Sequence, residues 1–171
     1  MWSTAANRLV VMVLTLCALG WGGTAAAAKV ETEAGVVAKL YKDFAWQAIG
    51  GQTDLFGNVL ANQSRSTLEK YFTPSLADLL VKDAACQVKY QGICNLEVDL
   101  LFDSQDPRVT DLQVATIAPG RVSVAFKDPA NDETTKIEFV VAQVAGKWKI
   151  ADIIYKRDGW SLKKVLSNKI P

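Results

Sequence analysis

Three runs in the second half of this chain alternate apolar and polar side chains with a period of two, and that pattern leaves few folds open. In "GRVSVAFKD", Val122, Val124 and Phe126 point one way while Arg121, Ser123 and Lys127 point the other. "TTKIEFVVAQV" aligns Ile137, Phe139 and Val141, and "KWKIADIIYKR" aligns Trp148, Ile150 and Ile154. Strict alternation is the mark of strands that bury one face. "DLQVATI" adds a shorter run, and turn signals at "APG", "DPAND" and "AG" separate the four. Short connections of this kind join antiparallel neighbours, so a meander is expected.

The first half reads as helix. In "VETEAGVVAKLYKDFAWQAIG", Val30, Ala34, Val37, Leu40, Tyr41, Phe44 and Ala48 recur at steps of three and four, and Gly50 and Gly51 supply a stop. "QTDLFGNVLANQ" is a less regular connection. Ser66 and Glu69 form a capping-box pair ahead of "LEKYFTPSLADLLVKDAA", where Leu68, Phe72, Leu76, Leu79 and Leu80 share a face. Pro74 divides that stretch into two pieces meeting near Thr73, because proline is tolerated in the first turn of a helix but not in its interior. "GWSLKKVLSNK" predicts a short final helix capped by Ser161. Helices first and sheet second is an α+β arrangement, with the sheet's apolar face covered by the early helices.

Residues 1–28 read as a secretory signal peptide: Arg8, then the apolar run "LVVMVLTLCAL", then small residues ending at Ala28. The run is too short to cross a bilayer, and Leu16 before Cys17 is too bulky for a lipid-attachment site. The remaining residues, 29–171, make a single domain. A periplasmic or secreted protein with no membrane span after signal cleavage is expected. With 19 Lys+Arg against 18 Asp+Glu the chain is close to neutral, which argues against a nucleic-acid binder that must neutralise phosphate. Cys86 and Cys94 in "CQVKYQGIC" are too far apart for a Cys-x-x-Cys redox motif, and the chain has no His to complete a zinc site. In an oxidising compartment the pair is best read as a disulfide. Lack of His also removes Ser-His and Cys-His nucleophilic systems, and there is no glycine-rich phosphate loop. No metal site and no cofactor are expected.

"VVAKLYKDFAW", the loop "LLFDSQD" and the ending "GKWKIADIIY" together resemble a bacterial family of envelope proteins of unknown function, some of them lipid-anchored. The resemblance implies a fold similar to nuclear transport factor 2 and the cystatin-like superfamily, in which N-terminal helices pack on the concave face of a curved antiparallel sheet to form a cone. Fold of this kind does not fix activity.

Several residues are candidates for a site. Strict alternation puts Asp152 on the side of Trp148, Ile150 and Ile154, where a carboxylate is costly unless hydrogen-bonded. Cone-fold isomerases use a pocket carboxylate as a base, so the resemblance implies an acid-base alternative with Asp152 at a pocket floor and Tyr41 or Tyr155 as donor. A bulge returning Asp152 to solvent, or a structural hydrogen bond, is the competing account. Asp103, Gln105 and Asp106 in "DSQDPR" line a mouth or serve as turn residues. Trp160 is either a partner surface or packing for the last helix. The leading expectation is a non-catalytic periplasmic binding domain for a small apolar ligand or a protein partner. An immunity or inhibitor protein against a secreted toxin or wall-acting enzyme is a narrower form, and a carboxylate-based isomerase is the enzymatic alternative.

Overall fold

The computed structural model describes residues 31–49 and 53–170. The expected signal peptide lies outside them, as do Val30, Gly50 and Gly51. Helix α1 (Glu33–Phe44) starts at Thr32, whose side chain accepts the Gly35 N–H, and it buries Val36, Val37, Leu40, Tyr41 and Phe44 along one stripe. It runs on as a 3₁₀ turn, Ala45–Ile49. The irregular connection contains a single helical turn, α2 (Thr53–Phe56), and a 3₁₀ turn, Leu60–Asn62.

Next come α3 (Arg65–Leu68) and α4 (Pro74–Tyr90), divided as the proline requires, with Pro74 in the first turn of α4. The expected capping box is displaced by two residues. Ser64, not Ser66, is the cap, accepting the Thr67 N–H at 3.3 Å. Glu69 instead pairs with Arg65 at 2.8 Å, one turn back on the same face. The segment between the two helices is bonded to the sheet. Ile150 N donates to Tyr71 O at 2.8 Å and Thr73 N to Ile150 O at 2.9 Å, so Leu68, Phe72, Leu76 and Leu80 are held over the strands and buried.

Five strands follow in sequence order: β1 (Thr110–Ala118), β2 (Arg121–Lys127), β3 (Thr134–Val144), β4 (Lys147–Tyr155) and the two-residue β5 (Trp160–Ser161). All pairings are antiparallel, and the order is a meander that does not close. The "AG" turn between β3 and β4 places both Ala145 and Gly146 at positive φ, 49° and 74°, the mirror-image two-residue turn whose twist suits a hairpin. Ser161 caps α5 (Leu162–Leu166), accepting the Lys164 N–H. Val122, Val124, Phe126, Ile137, Phe139 and Val141 form the inner face of the sheet and are buried against α1 and α4.

Long side chains cover part of the outer face of the sheet. Glu138 is buried there between Lys156, at 2.5 Å, and Arg121. The hydrogen bond from Lys156 leads in holding its carboxyl below the usual glutamate range, and burial works against it. A carboxyl depressed by folding contributes stability above its unfolded pKa and loses it as pH falls through the folded one. In acid titrations followed by urea unfolding, the wild type is therefore expected to lose its advantage over Glu138→Gln below the ordinary glutamate range. A constant difference between the two proteins across that window contradicts this.

One feature of β4 overturns the simple alternation. Val140 pairs with Asp152, but Val141 pairs with Ile150, so Ala151 is an extra residue. A bulge adds one residue to one strand and reverses the side-chain phase beyond it. Ile150 is buried on the inner face before the bulge, and Ile153 and Tyr155 take that face after it. Asp152 and Ile154 thus lie on the outer face, not beside Trp148 and Ile150 as alternation predicts.

Candidate functional site

Residues 91–109, between α4 and β1, contain neither helix nor strand. A connection beyond roughly 12–15 residues without regular structure is uncommon in a compact domain and is usually functional or disordered. This one is held at many points. The Cys86–Cys94 disulfide joins its start to α4, with the Cα atoms 6.2 Å apart. Asp83, buried on α4, accepts the Asn95 N–H at 2.8 Å and the Gln87 side-chain amide, and that amide also donates to Leu96 O.

The middle of the loop is anchored from the core. Tyr41 Oη donates to Leu101 O at 2.6 Å and Tyr155 Oη to Leu100 O at 2.9 Å, both inside the protein. Burial pushes both phenols well above their ordinary pKa, which keeps them neutral and able to donate. Leu100, Leu101 and Phe102 are buried beside them, and the Phe102 ring meets Tyr41 and Phe126 edge to face, with centroids 5.8 and 5.6 Å apart. Gln47, from the 3₁₀ turn after α1, supplies another anchor. Its Nε2 donates to Asp99 at 2.5 Å while its Oε1 accepts the Leu60 N–H. Burial raises the Asp99 pKa, and the N–H groups of Leu101 and Phe102 and the Gln47 amide pull it back.

A scaffold that fixes the backbone from beneath leaves the side chains on the loop's outer side free. Cavities of about 500 and 560 Å³ flank it and share Glu97, Ser104, Gln105 and Asp106 in their walls. The larger opens between the loop and the turn joining β4 to β5. Asp103, Gln105, Asp106 and Trp160, four of the residues singled out from the sequence, line this single cavity. Asp103 sits at φ 53°, a conformation aspartate tolerates better than most residues. Burial raises its pKa and Asp158 adds to the rise, while the Arg157 charge and the Trp160 indole N–H oppose it. The Trp160 ring stacks on Tyr155, centroids 3.8 Å apart and planes 21° from parallel.

The other three candidates are not part of the cleft's surface. Tyr41 and Tyr155 are core residues that support the loop from below. Asp152 lines neither cavity. Its Oδ2 accepts the Ser161 hydroxyl at 2.7 Å, and its Oδ1 accepts the N–H of Lys163 at 2.9 Å and of Ile153 at 2.8 Å. The carboxylate therefore fixes the start of α5, so the structure does not bring Asp152 together with Tyr41 or Tyr155 around a pocket. Among the described residues no group of three or more His, Cys, Asp or Glu is placed to hold a metal ion, and no helix is long and apolar enough to cross a membrane.

No family model, curated protein or solved structure matches this chain. The site therefore rests on its own geometry. Sequence reasoning missed Glu97, Arg157 and Asp158, which complete the larger cavity's charged wall, and Gln47 beneath the loop. Arg157 and Asp158 carry a local signal, since "KRDGW" is a turn directly before a tryptophan. Gln47 carries none, because its partners Leu60 and Asp99 are distant in sequence.

Proposed function

We propose that this chain is a non-catalytic binding domain of the bacterial envelope, exported to the periplasm, that presents the cleft around residues 96–106 to a protein partner. The observation that carries this reading is the immobilisation of a long irregular loop by buried side chains from four elements: Tyr41, Gln47, Asp83 and Tyr155. Binding surfaces gain from loops fixed in advance on a rigid scaffold. The disulfide and the absence of a membrane-crossing helix among the described residues are consistent with export. We read the fold as a relative of the nuclear transport factor 2 and cystatin-like cone, on the order of its elements. Tyr41, Phe102, Phe126 and Phe139 meet edge to face between α1 and the sheet, and an apolar cavity of about 470 Å³ remains beside them between α1 and β1, lined by Tyr41, Phe102 and Val114. A small apolar ligand there is the second reading, and a protein partner is favoured on the fixed loop. Inhibition of a secreted toxin or wall-acting enzyme is a narrower form of the same reading, which the identity of the partner decides.

The test compares immobilised wild type with a Gln105→Arg/Asp106→Arg variant, both positions being exposed, in envelope extract. A partner retained saturably by the wild type and at least tenfold less by the variant, with unchanged unfolding midpoint, is expected. Equal retention by the two proteins, or no saturable partner, refutes the reading.

A further inference from the structure

Helix α1 covers the sheet unevenly. Val122 and Val124 of β2 are fully buried on the inner face, but Val114, the β1 partner of Val124, is only half-buried, and Leu112 is 36% exposed. The flank of α1 and its 3₁₀ turn that faces β1 carries Ala38, Ala45 and Ala48, side chains too short to close the gap to the edge strand. Between them lies a cavity of about 470 Å³, within the roughly 300–1,000 Å³ of small-molecule sites.

The floor of this cavity is aromatic. Tyr41 and Phe102, both buried, line it and meet edge to face with centroids 5.8 Å apart. The Tyr41 hydroxyl is committed to Leu101 O, so the floor offers a ligand carbon surface rather than a hydrogen bond. Ile49, 71% exposed, and Leu112 bring two large apolar side chains into water at the cavity's edge. Apolar groups bordering a concave apolar surface are what an apolar guest would cover.

Among the described residues, Lys42 is the one charged member of the lining. The adjacent Asp43 is taken by Lys39 at 2.5 Å and by the Tyr71 hydroxyl, and Lys42 acts on it through charge alone. A lysine lays its stem along apolar surface and keeps its ammonium in water, so an apolar wall here ends in a positive charge. A hydrocarbon chain suits the walls, and a single negative head suits the rim. A cation of the same shape meets Lys42 unfavourably, and a neutral alcohol gains from the walls alone.

On the small-ligand reading, and independently of any partner at the loop, we propose that the cavity between α1 and β1 holds the alkyl chain of a fatty carboxylate, with Tyr41 and Phe102 as its floor and Lys42 pairing the carboxylate at the rim.

The experiment follows the methyl groups of Ala38, Ala45, Ala48, Leu112 and Val114 by ¹³C NMR in the folded, delipidated protein, with the Gln105 and Asp106 amides as a reference outside the cavity. Dodecanoate, butyrate, dodecanol and dodecyltrimethylammonium are titrated, each below its micelle-forming concentration. Dodecanoate is expected to shift the cavity methyls saturably and at least tenfold more tightly than butyrate, whose chain buries far less apolar surface. Lys42→Gln should weaken dodecanoate by about twofold to fivefold, the worth of one exposed ion pair, and leave dodecanol unchanged. Ala45→Leu, and Ala38→Leu at an exposed position that folding tolerates, fill the hollow and should weaken dodecanoate by about tenfold or more. No saturable shift with dodecanoate, a shift confined to the reference amides, or indifference to both leucine substitutions overturns the site. Dodecanol or dodecyltrimethylammonium binding as tightly as dodecanoate, or no effect of Lys42→Gln, overturns the carboxylate assignment. Silent dodecanoate beside a partner in extract that depends on Gln105 and Asp106 sinks the fatty-carboxylate claim alone. Bound dodecanoate beside a partner indifferent to Gln105→Arg/Asp106→Arg sinks the loop reading alone.

Discussion

Replacing Phe102 by alanine is expected to destabilise the protein by about 3–5 kcal/mol, the usual cost of deleting a buried aromatic ring. The ring is 1% exposed and touches Tyr41 from α1 and Phe126 from β2, so its loss opens a cavity where loop, helix and sheet meet. Part of that cost falls on hydrogen bonds. Tyr41 donates to the carbonyl of Leu101, the residue beside Phe102, and a loop released from its anchor leaves that phenol buried without an acceptor. Urea unfolding measures the loss, and amide exchange locates it. The fall should be global, with the amides of residues 95–107 exchanging faster than the sheet. A loss below about 1 kcal/mol would mean that the loop is held by its other anchors and that the aromatic cluster is dispensable.

The second large effect is expected at the disulfide. Closing a loop between residues eight apart in sequence restricts the unfolded chain by roughly 2.5 kcal/mol in the chain-entropy account. A Cys86→Ser/Cys94→Ser protein, or the wild type under reductant, should lose on the order of 2–3 kcal/mol in denaturant unfolding. The covalent link is reinforced just downstream, where Asp83 accepts the Asn95 N–H and Gln87 reaches Leu96 O. Loss of the link should therefore loosen residues 91–94 and leave Leu100–Phe102 protected. Equal exchange throughout the loop would show that the disulfide, not the buried tyrosines, sets its conformation.

The two halves of the molecule were legible to different depths. Pro74 divided two helices, the "AG" turn joined two strands and Ser161 capped the last helix, because each of these acts through its own backbone or its immediate neighbours. The first cap was misplaced since Ser64 and Ser66 are chemically alike, and the geometry chose the one whose hydroxyl reaches Thr67 N. Alternation alone puts Asp152 on the inner face, and the competing account, a bulge with a structural hydrogen bond, is what the structure has. A bulge at Ala151 changes the phase without changing the composition of the strand, and only the pairing with Val140 and Val141 reveals it. At the candidate site, Asp103, Gln105 and Asp106 were visible as polar residues of the turn-like "DSQDPR", and Trp160 as a tryptophan beside the C-terminal turn. That they share one wall depends on β4 turning back at residues 156–159, a tertiary fact. Tyr41 and Tyr155 looked like ligand groups because a phenol is both apolar and polar, and its role is decided by which carbonyl it reaches.

The anchoring of residues 95–107 through their main chain also separates two tasks that many loops combine. Leu101 O and Leu100 O are taken by Tyr41 and Tyr155, and the Asn95 N–H by Asp83, whatever stands at Glu97, Gln105 or Asp106. Those outward positions are exposed. Their identities can drift toward a new target while the frame that displays them keeps its shape.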